Sequence, residues 1–298
     1  MKQEKILLEP GTLWTKVKQT TEHALECGAL KSIPTEFEFV EQDGVKFLVR
    51  ILSNLNRKKA AKEKQEKQTA ATGKEFNPFL PYEEDLFVAD ISDTHLCILN
   101  KFNVVDYHLL IITRAFEEQE SLLTLEDLAA MWAILADFDG LVFYNGGKLA
   151  GASQRHKHLQ IVPLSGQEIP ITPLIKDVNF SDAIASIPEL PFLHAFTTLQ
   201  MEESTIVTLE KYHALLEAVG IGAVDNHKQS RAYNLLATRD WMLIVPRSHE
   251  EFESISINSL GFAGALLVRN TEQLQLLKNI GPMNILKNVT FPNNIKFG

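Results

Sequence analysis

The stretch 145–163 constrains the fold of this chain more than any other. It reads Asn145-Gly146-Gly147-Lys148-Leu149-Ala150-Gly151-Ala152-Ser153-Gln154-Arg155, followed by His156-Lys157-His158-Leu159-Gln160-Ile161-Val162-Pro163. Residues two apart share one face of a strand, so His156, His158 and Gln160 line one side while Leu159 and Ile161 take the other. Such a strand belongs in a sheet with one face in a core and the other on a polar cleft. Lys157 breaks the alternation and is expected near an edge. The loop ahead of the strand is rich in small residues, which lets backbone amides approach an anion, and Ser153, Gln154 and Arg155 add side-chain donors. An unprotonated imidazole attacks phosphorus at neutral pH when a neighbour fixes its tautomer. A side-chain amide beside it donates to the charge that develops on the phosphoryl oxygens. A His-x-His pair also suits zinc, and buried histidines are often structural. No third ligand follows nearby, and the Gly/Ser/Gln loop favours phosphate.

Around this segment the pattern is mixed. Leu13, Trp14, Val17, Ala24 and Leu25 mark an amphipathic helix after Pro10. Phe37 to Val40 and Val45 to Leu52 flank Asp43-Gly44, the short-loop signal of a hairpin. Residues 57–74 carry seven basic side chains and almost no large apolar ones, the composition of a solvated, mobile loop, with a basic flap that closes over a polyphosphate as the sharper reading. Strands are expected around 85–89, 95–99, 108–112 and 141–144. A helix starts at Thr124 with Asp127 three residues on, a capping-box arrangement.

A short internal repeat relates the two parts of the chain. Leu110-Ile111-Ile112-Thr113-Arg114 through Ser121 reads against Leu243-Ile244-Val245-Pro246-Arg247 through Ser254, a constant offset with Leu, Ile, Arg, Glu-Glu, Glu and Ser in place. Each copy is expected to leave a hairpin and enter a helix, the second through Leu260 to Leu267. The expected fold is therefore α+β: two related α/β halves with an antiparallel sheet, 77–165 carrying the histidine motif and 200–298 its relative, in one integrated unit over 1–298.

Composition limits the partners. With 45% hydrophobic and 22% charged residues the profile is globular. No stretch approaches the roughly 18 apolar residues of a membrane span, and the first residues lack the apolar segment of a signal peptide. The expected compartment is the cytoplasm, with no membrane partner. A net charge of −9 argues against nucleic acid, since the body would repel a polyanion. Two cysteines, Cys27 and Cys97, are too few for a disulfide framework or a cysteine zinc site. Both lie among apolar neighbours and are expected to be buried.

At Gly151-Ala152-Ser153-Gln154 and His156-Lys157-His158-Leu159-Gln160 the chain resembles the diadenosine tetraphosphate phosphorylases, or ATP adenylyltransferases. These belong to the histidine-triad and galactose-1-phosphate uridylyltransferase superfamily. Asn77-Pro78-Phe79, Leu99-Asn100-Lys101-Phe102, Tyr233-Asn234-Leu235-Leu236, Val245-Pro246-Arg247-Ser248 and Leu260-Gly261-Phe262-Ala263-Gly264 share the likeness, which runs from about Asn77 to Val289. The motif ends in Gln160 where the hydrolases usually have a third histidine.

The resemblance implies a histidine-triad-like fold and phosphorolysis of diadenosine tetraphosphate to ATP and ADP through an adenylylated His158. His156 would polarise the site, and Gln160 would bind the α-phosphate. Arg50, Asn145, Gly151, Ser153, Gln154, Asn258, Ser259, Leu260 and Arg269 carry over as substrate contacts. Arg155 stands where relatives often have proline, Arg50 and Arg269 where lysine is usual, and Ala265 where methionine is. These departures bear on substrate preference. The expected partners are the dinucleoside polyphosphate, ATP, ADP and phosphate, with Mg²⁺ brought by the substrate. No dedicated metal site and no organic cofactor are expected, in a monomer or homodimer. Two alternatives stand beside this: a dinucleoside polyphosphate hydrolase, and a nucleotide-binding sensor with little turnover.

Overall fold

The computed structural model describes residues 5–52, 77–164, 166–176, 178, 184–225 and 227–294. The basic segment 57–74 lies outside these.

Helix α1 (Leu13–Glu26) buries Leu13, Val17 and Ala24, whose spacings of four and seven residues put them on one apolar stripe. Strands β1 (Thr35–Gln42) and β2 (Val45–Leu52) form the expected hairpin. Asp43 and Gly44 both have positive φ, 49° and 78°, as a two-residue turn matched to strand twist requires. A 3₁₀ turn, Glu84–Leu86, precedes β3 (Phe87–Asp90), β4 (His95–Leu99) and β5 (Leu109–Thr113). Helix α2 (Leu125–Asp137) starts on the expected capping box: the Thr124 N–H donates to Asp127 Oδ2 at 2.7 Å, and the Asp127 N–H donates to Thr124 Oγ1 at 3.3 Å.

Strands β6 (Gly140–Gly146) and β7 (His158–Pro163) follow, then α3 (Thr172–Lys176), β8 (Ala195–Thr198) and α4 (Thr205–Ala218). The ribbon of β9 (Ala223–Val224) and β10 (Lys228–Gln229) leads to β11 (Tyr233–Ala237) and β12 (Trp241–Pro246). A second ribbon, β13 (Glu251–Phe252) with β14 (Ile255–Ser256), precedes α5 (Ser259–Phe262), β15 (Ala265–Val268), α6 (Thr271–Ile280) and α7 (Pro282–Asn288).

Eight strands make one antiparallel sheet in the order β3-β4-β5-β7-β6-β11-β12-β8. Ile111, Leu159, Ile161, Val142, Leu235 and Ile244 pack on one face beneath Leu13 and Val17 of α1, Met131 and Leu135 of α2, and Leu215 of α4. Leu141, Phe143, Leu236, Leu243 and Val245 pack on the other, against a small sheet of order β1-β2-β15 and the helices α6 and α7. Over β4, β5 and β7 that second face carries only the small cluster of Phe79, Leu96, Ile98, Leu110 and Ile112. The cleft opens there.

The α+β class with an antiparallel sheet is as expected. The repeat copies 110–121 and 243–254 fall on β5 and β12, each the second strand of a hairpin in the large sheet. Their continuations differ. The first enters α2, whereas the helix expected from Leu260 to Leu267 ends at Phe262. Gly264 turns the chain at φ 88°, where a Cβ would lie 2.6 Å from Pro170 Cβ, and Ala265–Val268 then pairs in parallel with β2. Two local expectations are also corrected. Cys97 is buried, but Cys27 is exposed, because it caps the C-terminal end of α1 just before Gly28 (φ 78°). Lys157 is fully buried, away from any edge.

Candidate active site

Strand β7 runs between β5 and β6, with His158 opposite Ile112 and Gln160 opposite both Leu110 and Phe143. Leu159 and Ile161 enter the helical side of the core, as the alternation requires. His158 and Gln160 therefore face the cleft, a cavity of ≈ 2800 Å³ that they line together with Ser153, Gln154 and Asn145.

The tautomers are set by what each ring can reach. The His156 Nε2–H donates to the Thr113 carbonyl at 2.8 Å, leaving Nδ1 to accept from Asn77 Nδ2 at 3.0 Å. The His158 Nδ1–H donates to the His156 carbonyl at 2.7 Å. Its Nε2 lone pair then has no hydrogen-bond partner among the described residues. Burial pushes His158 down to about 4 and the neighbouring His156 adds to the fall, only partly opposed by the carbonyl. His156 is also lowered by burial, with the Thr113 carbonyl opposing. At neutral pH, His158 is an uncharged imidazole with a fixed tautomer and one open nitrogen, the requirement for nucleophilic attack.

Gln160 is oriented from behind. The Phe102 N–H donates to Asn100 Oδ1 at 3.3 Å, and Asn100 Nδ2 donates to His108 Nδ1 at 3.2 Å. His108 Nε2–H then donates to Gln160 Oε1 at 3.0 Å. A backbone N–H at the start of this series fixes every donor and acceptor along it, so the NH₂ of Gln160 is left to donate. Gln119 holds the strand itself: its Oε1 accepts from the His158 N–H at 2.9 Å, and its Nε2 donates to the carbonyls of Asn145 and His158. Phe79 lies edge-on to both imidazoles, with ring centroids 5.1 Å from His158 and 5.7 Å from His156.

Lys157 points to the opposite face. Its Nζ donates to Asp127 Oδ2 at 2.5 Å and to the Leu122 carbonyl at 3.1 Å, while Asp127 Oδ1 accepts from His95 Nε2 at 3.0 Å. Burial raises the Asp127 carboxyl, but His95 and Lys157 outweigh it and hold it at about 2. The residue between the two histidines thus pins β7 to the capping box of α2.

The second half of the chain reaches the cleft through Asn145. Its Oδ1 accepts from the Ser259 N–H at 2.9 Å, the Ser259 hydroxyl at 2.8 Å and Asn234 Nδ2 at 2.9 Å. Asn234 Oδ1 in turn accepts from the buried Arg247 at 2.6 Å. Gly151 (φ 88°) packs against this half so closely that a Cβ would lie 2.8 Å from the Ile257 carbonyl.

Of the expected substrate contacts, Asn145, Gly151, Ser153, Gln154, Asn258, Leu260 and Arg269 line the cavity with His158 and Gln160. Two do not. Ser259 is fully buried and committed to Asn145 and the Tyr144 carbonyl, so it positions Asn145. Arg50 points its guanidinium at Thr35 Oγ1, 3.1 Å away on β1, and Leu52 reaches the cavity wall instead. Arg155, expected as a phosphate donor, is ion-paired with Glu118. Lys148 and Arg269 line the cavity with no ion-pair partner among the described residues, two cations left to meet a phosphate chain on a wall that also carries Asp225, Glu250 and Glu272. Asn77, Phe79, Asn100, His108, Gln119 and Asp127 were not foreseen as parts of the site. Asn77, Phe79 and Asn100 lie in motifs quoted for the family resemblance, and Gln119 lies in the repeat.

Comparison with known proteins agrees with this geometry. Residues 3–177 match the Ap4A phosphorylase N-terminal domain, and residues 188–292 match the ATP adenylyltransferase C-terminal domain. The chain is 30% identical over 240 residues, covering 67% of this chain and 71% of the relative, to diadenosine 5′,5‴-P1,P4-tetraphosphate phosphorylase 2 of Saccharomyces cerevisiae. It is 27% identical to Protein APA1 of the same yeast, covering 95% and 96% of the two chains. The structure of the yeast Ap4A phosphorylase Apa2 in complex with Ap4A superposes with a TM-score of 0.79 at 25% identity, covering 97% of this chain and 100% of that one. The same enzyme in complex with AMP superposes at 0.77 and 26%, covering 98% and 100%. Matched along both halves and in fold, the chain belongs to the Ap4A phosphorylase family of nucleotidyltransferases, the ATP adenylyltransferases.

Proposed function

We propose that the chain cleaves diadenosine tetraphosphate with inorganic phosphate, giving ATP and ADP, and that His158 carries the adenylyl group between the two steps. One observation carries this reading: the His158 Nδ1–H is held by the His156 carbonyl at 2.7 Å while Nε2 is open to the cavity beside the Gln160 amide. In the first step, Nε2 attacks the α-phosphorus, a P–N bond forms, and the bond to the bridging oxygen breaks to release ATP. The positive charge gained by the ring is shared with the Nδ1–H, where the carbonyl stabilises it. In the second step, an oxygen of inorganic phosphate attacks the same phosphorus, the P–N bond breaks, and ADP leaves with His158 restored as neutral imidazole. The Gln160 NH₂ donates to the α-phosphoryl oxygens as their charge grows. Ser153, Gln154 and the amides of the 146–153 loop hold the phosphate chain, and Asn145 and Arg269 contact the nucleotide.

Mg²⁺ enters this reading only with the polyphosphate. Among the described residues the one His/Cys/Asp/Glu group with metal-ligand spacing lies outside the cavity, and Glu118 and Glu120 at the cavity wall are paired with Arg155 and Lys228. No helix among the described residues is long and apolar enough to cross a membrane. The cytoplasm and a monomeric or homodimeric state belong to the same proposal.

The test is product analysis with diadenosine tetraphosphate, with and without phosphate. Continuous turnover to ADP and ATP only when phosphate is present, with at most one ATP released per enzyme without it, supports phosphorolysis. AMP and ATP formed at the same rate without it would make water the acceptor.

A further inference from the structure

We infer that His23, Cys27 and Asp85 form a binding site for a zinc-class divalent cation on the outer rim of the cleft. This stands apart from the reading of the active site. His23 and Cys27 are four residues apart near the C-terminal end of α1, so their side chains project from one helix face on consecutive turns. Asp85 comes from the 3₁₀ turn that packs against that helix. The three ligand atoms lie within 4.8 Å of one another, and the His23 Nε2 to Asp85 Oδ1 distance is 2.8 Å. Ligand atoms about 2.0–2.3 Å from a tetrahedral zinc stand somewhat over 3 Å apart. Closure therefore needs only side-chain adjustment, and all three side chains are solvent-exposed and free to make it. The Cys27 Sγ makes only a weak contact to the Ala24 carbonyl at 3.8 Å.

The donor set selects the ion. A thiolate, an imidazole and one carboxylate suit Zn²⁺, Co²⁺ or Cd²⁺, whereas Mg²⁺ and Ca²⁺ prefer oxygen alone. Three protein ligands leave a fourth position for water. Binding would deprotonate the Cys27 thiol and release that proton to solvent. The His23 Nε2 proton shared with Asp85 would move through solvent to Nδ1, and the hydrogen bond would give way to two bonds to the metal. The consequence is mechanical: Leu25 and Gly28 on the helix side, and Glu83 and Leu86 on the turn side, all line the cavity. An ion held between α1 and Asp85 would fix that wall.

The experiment is a Co²⁺ titration of the full chain in metal-free buffer with a non-thiol reductant, followed by Zn²⁺ displacement. One equivalent of Co²⁺ is expected to give a sulfur-to-cobalt charge-transfer band together with four-coordinate d–d bands. The sulfur band should vanish in Cys27→Ser, and affinity should fall at least ~10-fold in His23→Ala and in Asp85→Asn, as loss of a ligand-shell group does. Zn²⁺ should bleach the spectrum and raise the melting temperature of the parent but not of Cys27→Ser. Melting curves without metal confirm that each variant folds. The proposal is overturned by absence of a saturable sulfur band, or by a band kept in Cys27→Ser, which would assign it to Cys97. It is also overturned by cobalt binding unchanged in all three variants, which would place the ion on the cleft imidazoles.

Discussion

Protonation of His158 is set by its surroundings, and this has a kinetic consequence. The imidazole falls from 6.5 to about 4, first because burial penalises the charged ring and then because His156 lies beside it. At about 1.36 kcal/mol per pH unit, that disfavours the imidazolium by roughly 3 kcal/mol in the folded protein. An ordinary histidine is only about one-quarter neutral at about pH 6, whereas His158 stays essentially all neutral there. The adenylylation step, followed as the single-turnover rate constant for ATP release without phosphate at subsaturating diadenosine tetraphosphate, should therefore hold level from about pH 8 to about pH 6 once substrate ionisation is corrected. Without the shift it would drop about fourfold over the same range. Ring ¹⁵N shifts of the free enzyme, assigned through His158→Gln, should show the same low midpoint. Stability follows with a definite sign. The unfolded chain takes up the proton first, so the contribution of His158 is fully present above about pH 6.5 and is lost as pH falls towards about 4. A midpoint near 6.5 in both rate and ring shifts would refute the burial argument.

Other consequences follow from the same contacts. Lys157→Met leaves the Asp127 carboxylate buried without its cation and should cost about 3–5 kcal/mol in urea denaturation; a loss within experimental error would show that the pair contributes nothing. Gln160→Ala removes the donor to the α-phosphoryl oxygens and should lower kcat about 10²-fold with KM little changed. His108→Ala frees Gln160 to turn its oxygen towards phosphate and should give a smaller loss of the same kind, partly recovered in His108→Gln, whose amide can again donate to Gln160 Oε1. Gly151→Ala combines a left-handed φ with a 2.8 Å approach to the Ile257 carbonyl. It should cost at least about 1–2 kcal/mol in stability and raise KM for the dinucleotide, both read from melting curves and initial rates.

What could be read in the sequence is what local periodicity determines. The face shared by His158 and Gln160, the Asp43-Gly44 turn and the Thr124–Asp127 cap each depend on residues a few positions apart, and each is present. Lys157 was misplaced because its partner, Asp127, is thirty positions away in sequence, and a lone lysine in a strand gives no sign of a buried counter-ion. His108, Asn100 and Gln119 were missed for the same reason, since they reach β7 only when β5 and the turn behind it fold against the strand. The family likeness carried Ser259 and Arg50 into the site by position. The structure turns one towards Asn145 and the other towards Thr35, distinctions of side-chain direction that no sequence pattern encodes. The helix expected through Leu267 failed at Gly264, where close approach to Pro170 and pairing with β2 outweigh the helical pattern.

The central claim is that His158 carries the adenylyl group as a covalent intermediate. Intact-mass spectrometry of the protein mixed with diadenosine tetraphosphate in phosphate-free buffer tests it directly. The expected result is a single added adenylyl mass, mapped to His158, absent in His158→Ala and discharged as ADP when phosphate is added. Full phosphorolysis by His158→Ala, with no adduct in either protein, would contradict the account.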